Sequence, residues 1–168
     1  AECCPKVRII NPLSNCSYPG DANKHLEDDW WLGEVHGSVF SYGNAKRFIY
    51  VISQNYCTQY GVKTINFLVP NSFGIGDYTD PNRTHALNGM IIRMMLAVRR
   101  GDKEFEIWGS GSPIREWGYV KDVANILVQA VEVIDEQVFP VNIAQNKGYS
   151  IKESAECIAN ALGFKGRL

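Results

Sequence analysis

The spacing of apolar and polar positions changes repeatedly along this chain. Val7-Arg8-Ile9-Ile10 reads as a first short strand. Asn11–Ser41 is polar and punctuated by Pro12, Pro19, Gly20, Gly33 and Gly37. A loop this long in a compact domain is more often functional than idle. A helix is predicted over about Tyr42–Tyr60, with Ala45, Phe48, Ile49, Ile52 and Tyr56 at helical spacing and Gly61 as its stop. Thr64–Pro70 is a buried strand, and Asn71–Arg83 a loop holding Gly74, Gly76 and Pro81. Thr84 is placed to cap a helix that ends at Arg99-Arg100-Gly101, cations at its negative end and glycine after it. Glu104–Trp108 alternates as a strand. Asp122 is placed to cap the next helix, whose stripe is Val123, Ile126, Leu127, Ala130, Val131 and Ile134. Phe139–Ala144 is a short strand. Ser150-Ile151-Lys152-Glu153 is a capping box opening a helix striped by Ile151, Ala155, Ile158, Ala159 and Leu162. Strands alternating with helices predict an α/β fold with parallel strands.

Composition narrows the possibilities. The 168 residues are 45% hydrophobic and 21% charged, ordinary for a globular domain, which argues against disorder and coiled coil. Lys plus Arg number 17 against 18 Asp plus Glu, a net charge of −1. Without a basic excess, nucleic acid is not the expected partner. No apolar run approaches the roughly 18 residues of a membrane span, so no membrane is expected either. The five cysteines, Cys3, Cys4, Cys16, Cys57 and Cys157, are odd in number and form no C-x-x-C pair. Neither a metal site nor a disulfide framework is expected, and a reducing cytoplasm fits best.

Two constellations carry candidate chemistry. Tyr42 and Lys46 stand four apart, on one face of the first helix. A tyrosinate can act as acid/base on a hydroxyl or ketone, but bringing a phenol from about 10 to ~7 takes roughly 4 kcal/mol. A cation one turn away supplies part of that. The same pair also suits a helix-start tyrosine packed on a surface lysine. Ser14 follows the first strand, at the end where parallel sheets present ligands, and could donate to the same reacting oxygen; a turn serine satisfying local backbone is the other reading.

Taken in order, these residues resemble the short-chain dehydrogenase/reductase superfamily: Ser14, then Tyr42-x-x-x-Lys46. Further motifs resemble its extended branch, the NAD-dependent epimerases and dehydratases of nucleotide sugars. Asn71-Ser72-Phe73-Gly74-Ile75-Gly76-Asp77 is similar to that branch's Asn-Val-Tyr-Gly-Pro-Gly-Asp loop. Trp108–Glu116, then Tyr119-Val120-x-Asp122-Val123-Ala124, is similar to its substrate-nucleotide segment and following helix. Within the branch, the spacing of Cys16, His85, Arg93, Trp108 and Arg115 resembles the 3,5-epimerase/4-reductase family of GDP-L-fucose synthases.

The resemblance implies a partial Rossmann-like doubly wound parallel sheet plus a smaller C-terminal substrate-binding part. Residues 1–75 would be the C-terminal half of the dinucleotide domain. Residues 76–168 would be mainly substrate-binding, with Rossmann segments interleaved at about 119–144. It implies catalytic roles for Ser14, Tyr42, Lys46, Cys16 and His85. Tyr42, Lys46 and Asn71 would contact the cofactor, NADP in preference to NAD. Arg93, Trp108 and Arg115 would bind a nucleotide-diphosphate sugar. Cys and His suit removal and return of a carbon-bound proton beside a ketone. Cys16 also reads as a small buried residue, His85 as a local helix-start contact, the arginines as surface charges and Trp108 as core. The implied protein is a cytoplasmic homodimer.

One departure stands out. A strand–Gly-x-x-Gly-x-x-Gly–helix unit is missing, and Gly109-Ser110-Gly111 leads to Pro113 rather than to a helix. With a strand-like run so near residue 1 and no initial methionine, the expectation is the later portion of a larger enzyme, inactive alone. A nucleotide-sugar 4-epimerase is the alternative activity. A 4,6-dehydratase is less favoured, because Ser14-Asn15-Cys16 replaces the usual Thr-Asp-Glu. A non-catalytic nucleotide-sugar-binding relative is the alternative without chemistry.

Overall fold

The computed structural model describes residues 7–80, 83–133 and 139–168. Cys3, Cys4, Pro81 and Ile134 lie outside the described residues, as do parts of the predicted Asn71–Arg83 loop and the start of the interval before Phe139. The chain divides into two compact units: Ala1–Pro70 with Lys121–Ala144, and Asn71–Val120 with Gln145–Leu168.

The first unit is built on a parallel sheet. Strand β1 (Arg8–Pro12) pairs with β2 (Lys63–Leu68), Ile10 opposite Ile65, and β2 pairs with β6 (Val141–Asn142), Phe67 opposite Val141. Central β2 is buried from Thr64 to Leu68, as its apolar run requires when both faces are covered. Ile65, Phe67 and Ile143 pack with Val123 and Ala130 of helix α3 (Val120–Val133). Helix α1 (Phe40–Tyr60) connects β1 to β2 and stops at Gly61, whose φ of 64° is the left-handed conformation a C-terminal glycine adopts at low cost.

The face that α1 buries is not its most apolar one. Gly43, Arg47 and Ser53 are buried, whereas the stripe of Phe48, Ile49, Ile52 and Tyr56 is exposed. Polar partners explain the inward face. Asn11 Nδ2 donates to Ser53 Oγ at 2.7 Å and to Asn66 Oδ1 at 2.9 Å, so a side-chain network joins α1 to the sheet. A second core forms where Leu13, Tyr18, Trp30 and Leu68 pack together, with Tyr50 of α1 against them.

The second unit packs helix on helix. Leu87, Met90, Met94 and Ala97 of α2 (Ala86–Arg100) meet Ala155, Ile158 and Ala159 of α4 (Ile151–Leu162), with Phe105 between. Strand β3 (Asn71–Phe73) runs parallel to β5 (Trp117–Tyr119), and β4 (Ile114–Arg115) runs antiparallel to β7 (Tyr149–Ser150). The capping box is present in full: Glu153 N donates to Ser150 Oγ at 3.0 Å, and Ser150 N to Glu153 Oε2 at 2.8 Å.

Several sequence expectations shift. Glu104–Trp108 is not a strand. Phe105 is buried between exposed neighbours, which produces the alternation, but the segment makes only one isolated bridge, Glu104 to Arg167. The loop predicted from Asn71 begins instead as β3. His85, not Thr84, is the N-cap of α2, because the Thr84 hydroxyl is engaged by Asp77. Asp122 lies inside the first turn of α3, which starts two residues earlier at Val120. The predicted Phe139–Ala144 strand contracts to the two residues of β6.

Candidate active site

In the first unit, the chain leaves β1 and turns at once. Ser14 caps a single 3-10 turn, Asn15–Ser17, its Oγ accepting the amide of Cys16 at 3.2 Å. Ser14 is buried and Cys16 half-buried. The turn rests on α1 because residue 43 is glycine. A Cβ there would lie 2.6 Å from the Cys16 carbonyl oxygen and 3.1 Å from Val35. One residue before that contact stands Tyr42, and three after it Lys46. Tyr42 is 51% exposed, and the Lys46 ammonium lies 5.5 Å from the centre of its ring. Lys46 Nζ donates to the carbonyl of Pro12 at 2.8 Å, which fixes the cation at the carboxyl end of β1. Ligands of parallel α/β sheets bind at that end.

Arg47 holds the loop that follows. Its Nε donates to the Ser17 carbonyl at 2.8 Å, Nη1 to Gly33 at 2.7 Å and Nη2 to Trp30 at 2.8 Å. Burial pulls its pKa below the ordinary arginine value. Trp30 Nε1 in turn donates to Ser17 Oγ at 2.8 Å, and Ser17 Oγ donates to the Ser14 carbonyl. Tyr18 is sealed in the same core. Burial pushes its phenol up to about 12, and its hydroxyl donates to Asn142 at 3.0 Å.

In the second unit, His85 begins α2 with an exposed ring. Its Nδ1 lies 3.1 Å from Asp77 Oδ2. The same oxygen accepts from Thr84 Oγ1 at 2.7 Å, Asn88 Nδ2 at 2.7 Å and the His85 amide at 3.1 Å, while Asp77 Oδ1 accepts the Tyr78 amide at 2.8 Å. The donors of Asn88 and Thr84, then the two amides, hold the Asp77 carboxyl well below the usual carboxylate range. Eight residues along α2, about 12 Å at 1.5 Å per residue, Arg93 lies beneath Trp108, guanidinium to ring centre 3.9 Å. Arg93 Nη1 donates to the Glu106 carbonyl at 3.1 Å, and burial lowers its pKa. Trp108 is 63% exposed, so it is not a core residue. Arg115 is exposed on β4, its Nη1 donating to the Ile114 carbonyl at 2.8 Å. Asn71 Nδ2 donates to the Glu116 carbonyl at 3.2 Å.

The structure therefore brings Ser14 and Cys16 into one turn, seats that turn on the helix of Tyr42 and Lys46, and pairs Arg93 with Trp108. Asp77 and Arg47 went unread as contributors. Asp77 closes the glycine loop seven residues before Thr84, and Arg47 is the charge that falls on the Gly43–Tyr50–Ser53 face; both signals were present in the sequence.

A parallel sheet, a serine just past its first strand and a Tyr-x-x-x-Lys helix beside it define the dehydrogenase/reductase type of Rossmann-like fold. Residues 1–144 match the model of the NAD dependent epimerase/dehydratase family, and the chain belongs to that family. It is 31% identical over 172 residues to a probable GDP-L-fucose synthase of Drosophila melanogaster, covering 96% of this chain and 53% of that protein. A GDP-L-colitose synthase of Yersinia pseudotuberculosis is 29% identical over 95% of this chain and 52% of its own length. A GDP-L-fucose synthetase of Naegleria fowleri bound to NADP superposes with a TM-score of 0.84 at 25% identity, over 99% of this chain and 55% of that one. The chain thus spans about half the length of the curated relatives it matches.

The residues present fit part of a nicotinamide dinucleotide. An exposed phenol and an ammonium at the carboxyl end of β1 suit the nicotinamide and its ribose. A glycine-rich turn leading from a strand into a helix, the seat of the pyrophosphate, is absent among the described residues.

Proposed function

We propose that the full-length protein is an NADP-dependent epimerase/reductase of a GDP-linked 4-keto sugar, of the GDP-L-fucose synthase kind. The observation that carries this reading is the seating of the Ser14–Cys16 turn on the helix of Tyr42 and Lys46. That arrangement brings the turn that carries the hydroxyl and the thiol onto the helix that carries the phenol and the ammonium. The NADP-bound Naegleria relative supports NADP over NAD. The cofactor, when bound, supplies the hydride that reduces C4.

The chain's own groups handle the protons. Ser14 Oγ already accepts from Cys16, so its hydroxyl proton is left to donate to the C4 oxygen. Tyr42 hands over the proton that the reduced oxygen needs, and Lys46 holds the ribose. Cys16 and His85 remove and return the protons at C3 and C5 through the enolate of the 4-keto group. Arg93 and Arg115 take the diphosphate, for which guanidinium is geometrically suited. Trp108 lies against the base or sugar, and Asn71 borders the cofactor.

The reading extends to a cytoplasmic homodimer without nucleic-acid or membrane partners. Its supports are the free thiols of Cys16, Cys57 and Cys157 and the exposed apolar face of α1. Among the described residues no helix is long and apolar enough to cross a membrane.

The test uses the full-length protein and a GDP-linked 4-keto-6-deoxy sugar in deuterated water, following NADPH oxidation and deuterium entry together. Tyr42→Phe is expected to slow reduction by roughly 10²–10⁴. Cys16→Ser or His85→Gln is expected to stop deuterium at C3 or C5 and spare some hydride transfer. An unchanged kcat in Tyr42→Phe overturns the assignment. Deuterium entry persisting in both other variants removes Cys16 and His85 from the proton exchange, and its absence in the unmodified protein moves the protein to the 4-epimerases.

A further inference from the structure

Asp77 has no role in the chemistry described so far, yet it is the most heavily bonded carboxylate among the described residues. Three donors and a ring nitrogen converge on its Oδ2: Thr84 Oγ1 and Asn88 Nδ2 at 2.7 Å, the His85 amide at 3.1 Å, and His85 Nδ1 at 3.1 Å. Asn88 Nδ2 and the amide carry hydrogen and nothing else to offer. An oxygen that receives them has no room for a proton of its own, and an ionised carboxylate only accepts. The fourth contact then has one possible direction, with His85 Nδ1 carrying the hydrogen. Once Nδ1 is protonated in the neutral ring, Nε2 holds the lone pair.

We infer that Asp77 is the positioning residue of His85: it fixes the ring as the Nδ1–H tautomer and turns Nε2 outward as the only atom able to exchange a proton. The inference rests on the reading of His85 as an acid/base, which it deepens, but the tautomer itself does not depend on that reading. The local fold supplies the rigidity the role requires. The Asp77 oxygen bonds both backbone and ring of His85, so the ring is held relative to the first turn of α2. The negative charge also lies at the positive end of that helix, where it is favoured.

The proton balance is simple. The Nε2 lone pair takes a hydrogen from the sugar carbon, and the C–H electron pair passes into the enolate of the neighbouring carbonyl. The imidazolium so formed faces the Asp77 carboxylate through Nδ1–H, which stabilises its charge. Returning a proton from Nε2, or receiving one there for the opposite sense of transfer, restores the starting ring. A ring in the other tautomer would present N–H at Nε2 and could not begin as a base. Loss of an orienting carboxylate through a wrong tautomer is worth orders of magnitude in other acid/base histidines.

Nitrogen-15 NMR of labelled histidine in the full-length protein reads the tautomer directly, with His85 assigned by the signal lost in His85→Gln. At a pH where the ring is neutral, Nδ1 is expected to carry the hydrogen. Asp77→Asn should abolish that preference, because an amide in its place must turn a donor toward part of the cluster. Asn88→Ala removes a neighbouring donor but leaves the Nδ1 contact, and should keep the tautomer; it controls for mere loosening of the loop. Deuterium entry into the sugar should fall at least ~10²-fold in Asp77→Asn. An Nε2–H ring in the unmodified protein, or an unchanged tautomer in Asp77→Asn, overturns the inference. A tautomer lost in Asp77→Asn with deuterium entry intact leaves Asp77 as the orienting group and overturns the reading of His85 as an acid/base.

Discussion

The Arg47 guanidinium donates to the Trp30 carbonyl at 2.8 Å and lies 6.0 Å from the centre of the same residue's indole, binding backbone and ring of one residue together. Two further carbonyls, of Ser17 and Gly33, complete its set. A buried cation with no carboxylate partner among the described residues survives because three carbonyl dipoles point at it. The consequence reaches the candidate site, since Ser17 belongs to the turn that begins at Ser14.

Arg47→Met should therefore destabilise the protein by about 3 kcal/mol, since it removes the buried bonds to the Ser17 and Trp30 carbonyls and the half-buried one to Gly33. Arg47→Lys should recover only part of that, because one ammonium cannot span three acceptors that a guanidinium fork reaches. Urea unfolding of the two variants checks both statements. A loss under ~1 kcal/mol in Arg47→Met would show that the loop is held by its aromatic core alone.

How far the sequence disclosed this arrangement depends on which force decided each element. The capping box at Ser150 and Glu153 and the glycine ending α1 were legible because they act within four residues. The stripe of α4 was legible because α2 offers it an apolar partner. On α1, hydrophobicity marked Phe48, Ile49, Ile52 and Tyr56, yet the buried face is Gly43, Arg47 and Ser53. Polar atoms with partners distant in sequence, Asn11 for Ser53 and three loop carbonyls for Arg47, outweighed the apolar pattern, and periodicity carries no signal for such pairs. The Phe105 alternation misled for a related reason: a side chain that fills a helix–helix crevice reads like a strand residue when its neighbours are solvated. Motif order pointed to Ser14, Tyr42, Lys46 and His85 as candidates, while the contact between His85 and Asp77 required coordinates.

The Asp77 cluster carries a pH dependence of known sign. Its folded-state pKa lies below the unfolded value of about 3.9, so it adds stability above that pH and loses it as pH falls through the acid range. The side chain is 16% exposed, which moderates the effect. Unfolding free energies of the protein and of Asp77→Asn should differ at pH 7 and converge on acidification below about 4. A gap that stays constant down to the acid transition would contradict the bonded, ionised Asp77 described above.

Ser150→Ala should lower the stability of the second unit by about 1 kcal/mol, the usual value of an N-cap side chain. The substitution removes the acceptor for the Glu153 amide and leaves the bond from the Ser150 amide to the Glu153 carboxylate without its reciprocal partner. Hydrogen exchange at the first turn of α4 is the sensitive readout. Exchange should accelerate there and remain unchanged in the strands of the first unit.

Arg93 and Trp108 provide the sharpest test of nucleotide binding. Arg93 is already committed to the Glu106 carbonyl through Nη1 and to the Trp108 ring through its face. Those contacts fix the plane of the guanidinium and leave its other donors to meet an oxyanion, so little is lost in ordering when phosphate arrives. Arg93→Lys keeps the charge but gives up the plane, the stacking and the second donor. It should raise the KM for the nucleotide sugar by about tenfold or more, roughly the 1.4 kcal/mol of a single charge-assisted bond, with a smaller change in kcat. Trp108→Phe retains a ring over Arg93 and should cost less than Trp108→Ala, which removes the platform. Titration of each full-length variant with GDP, monitored by calorimetry, separates binding from turnover. Equal GDP affinities in Arg93→Lys, Trp108→Ala and the unmodified protein would place the nucleotide elsewhere and reduce the pair to a surface stack.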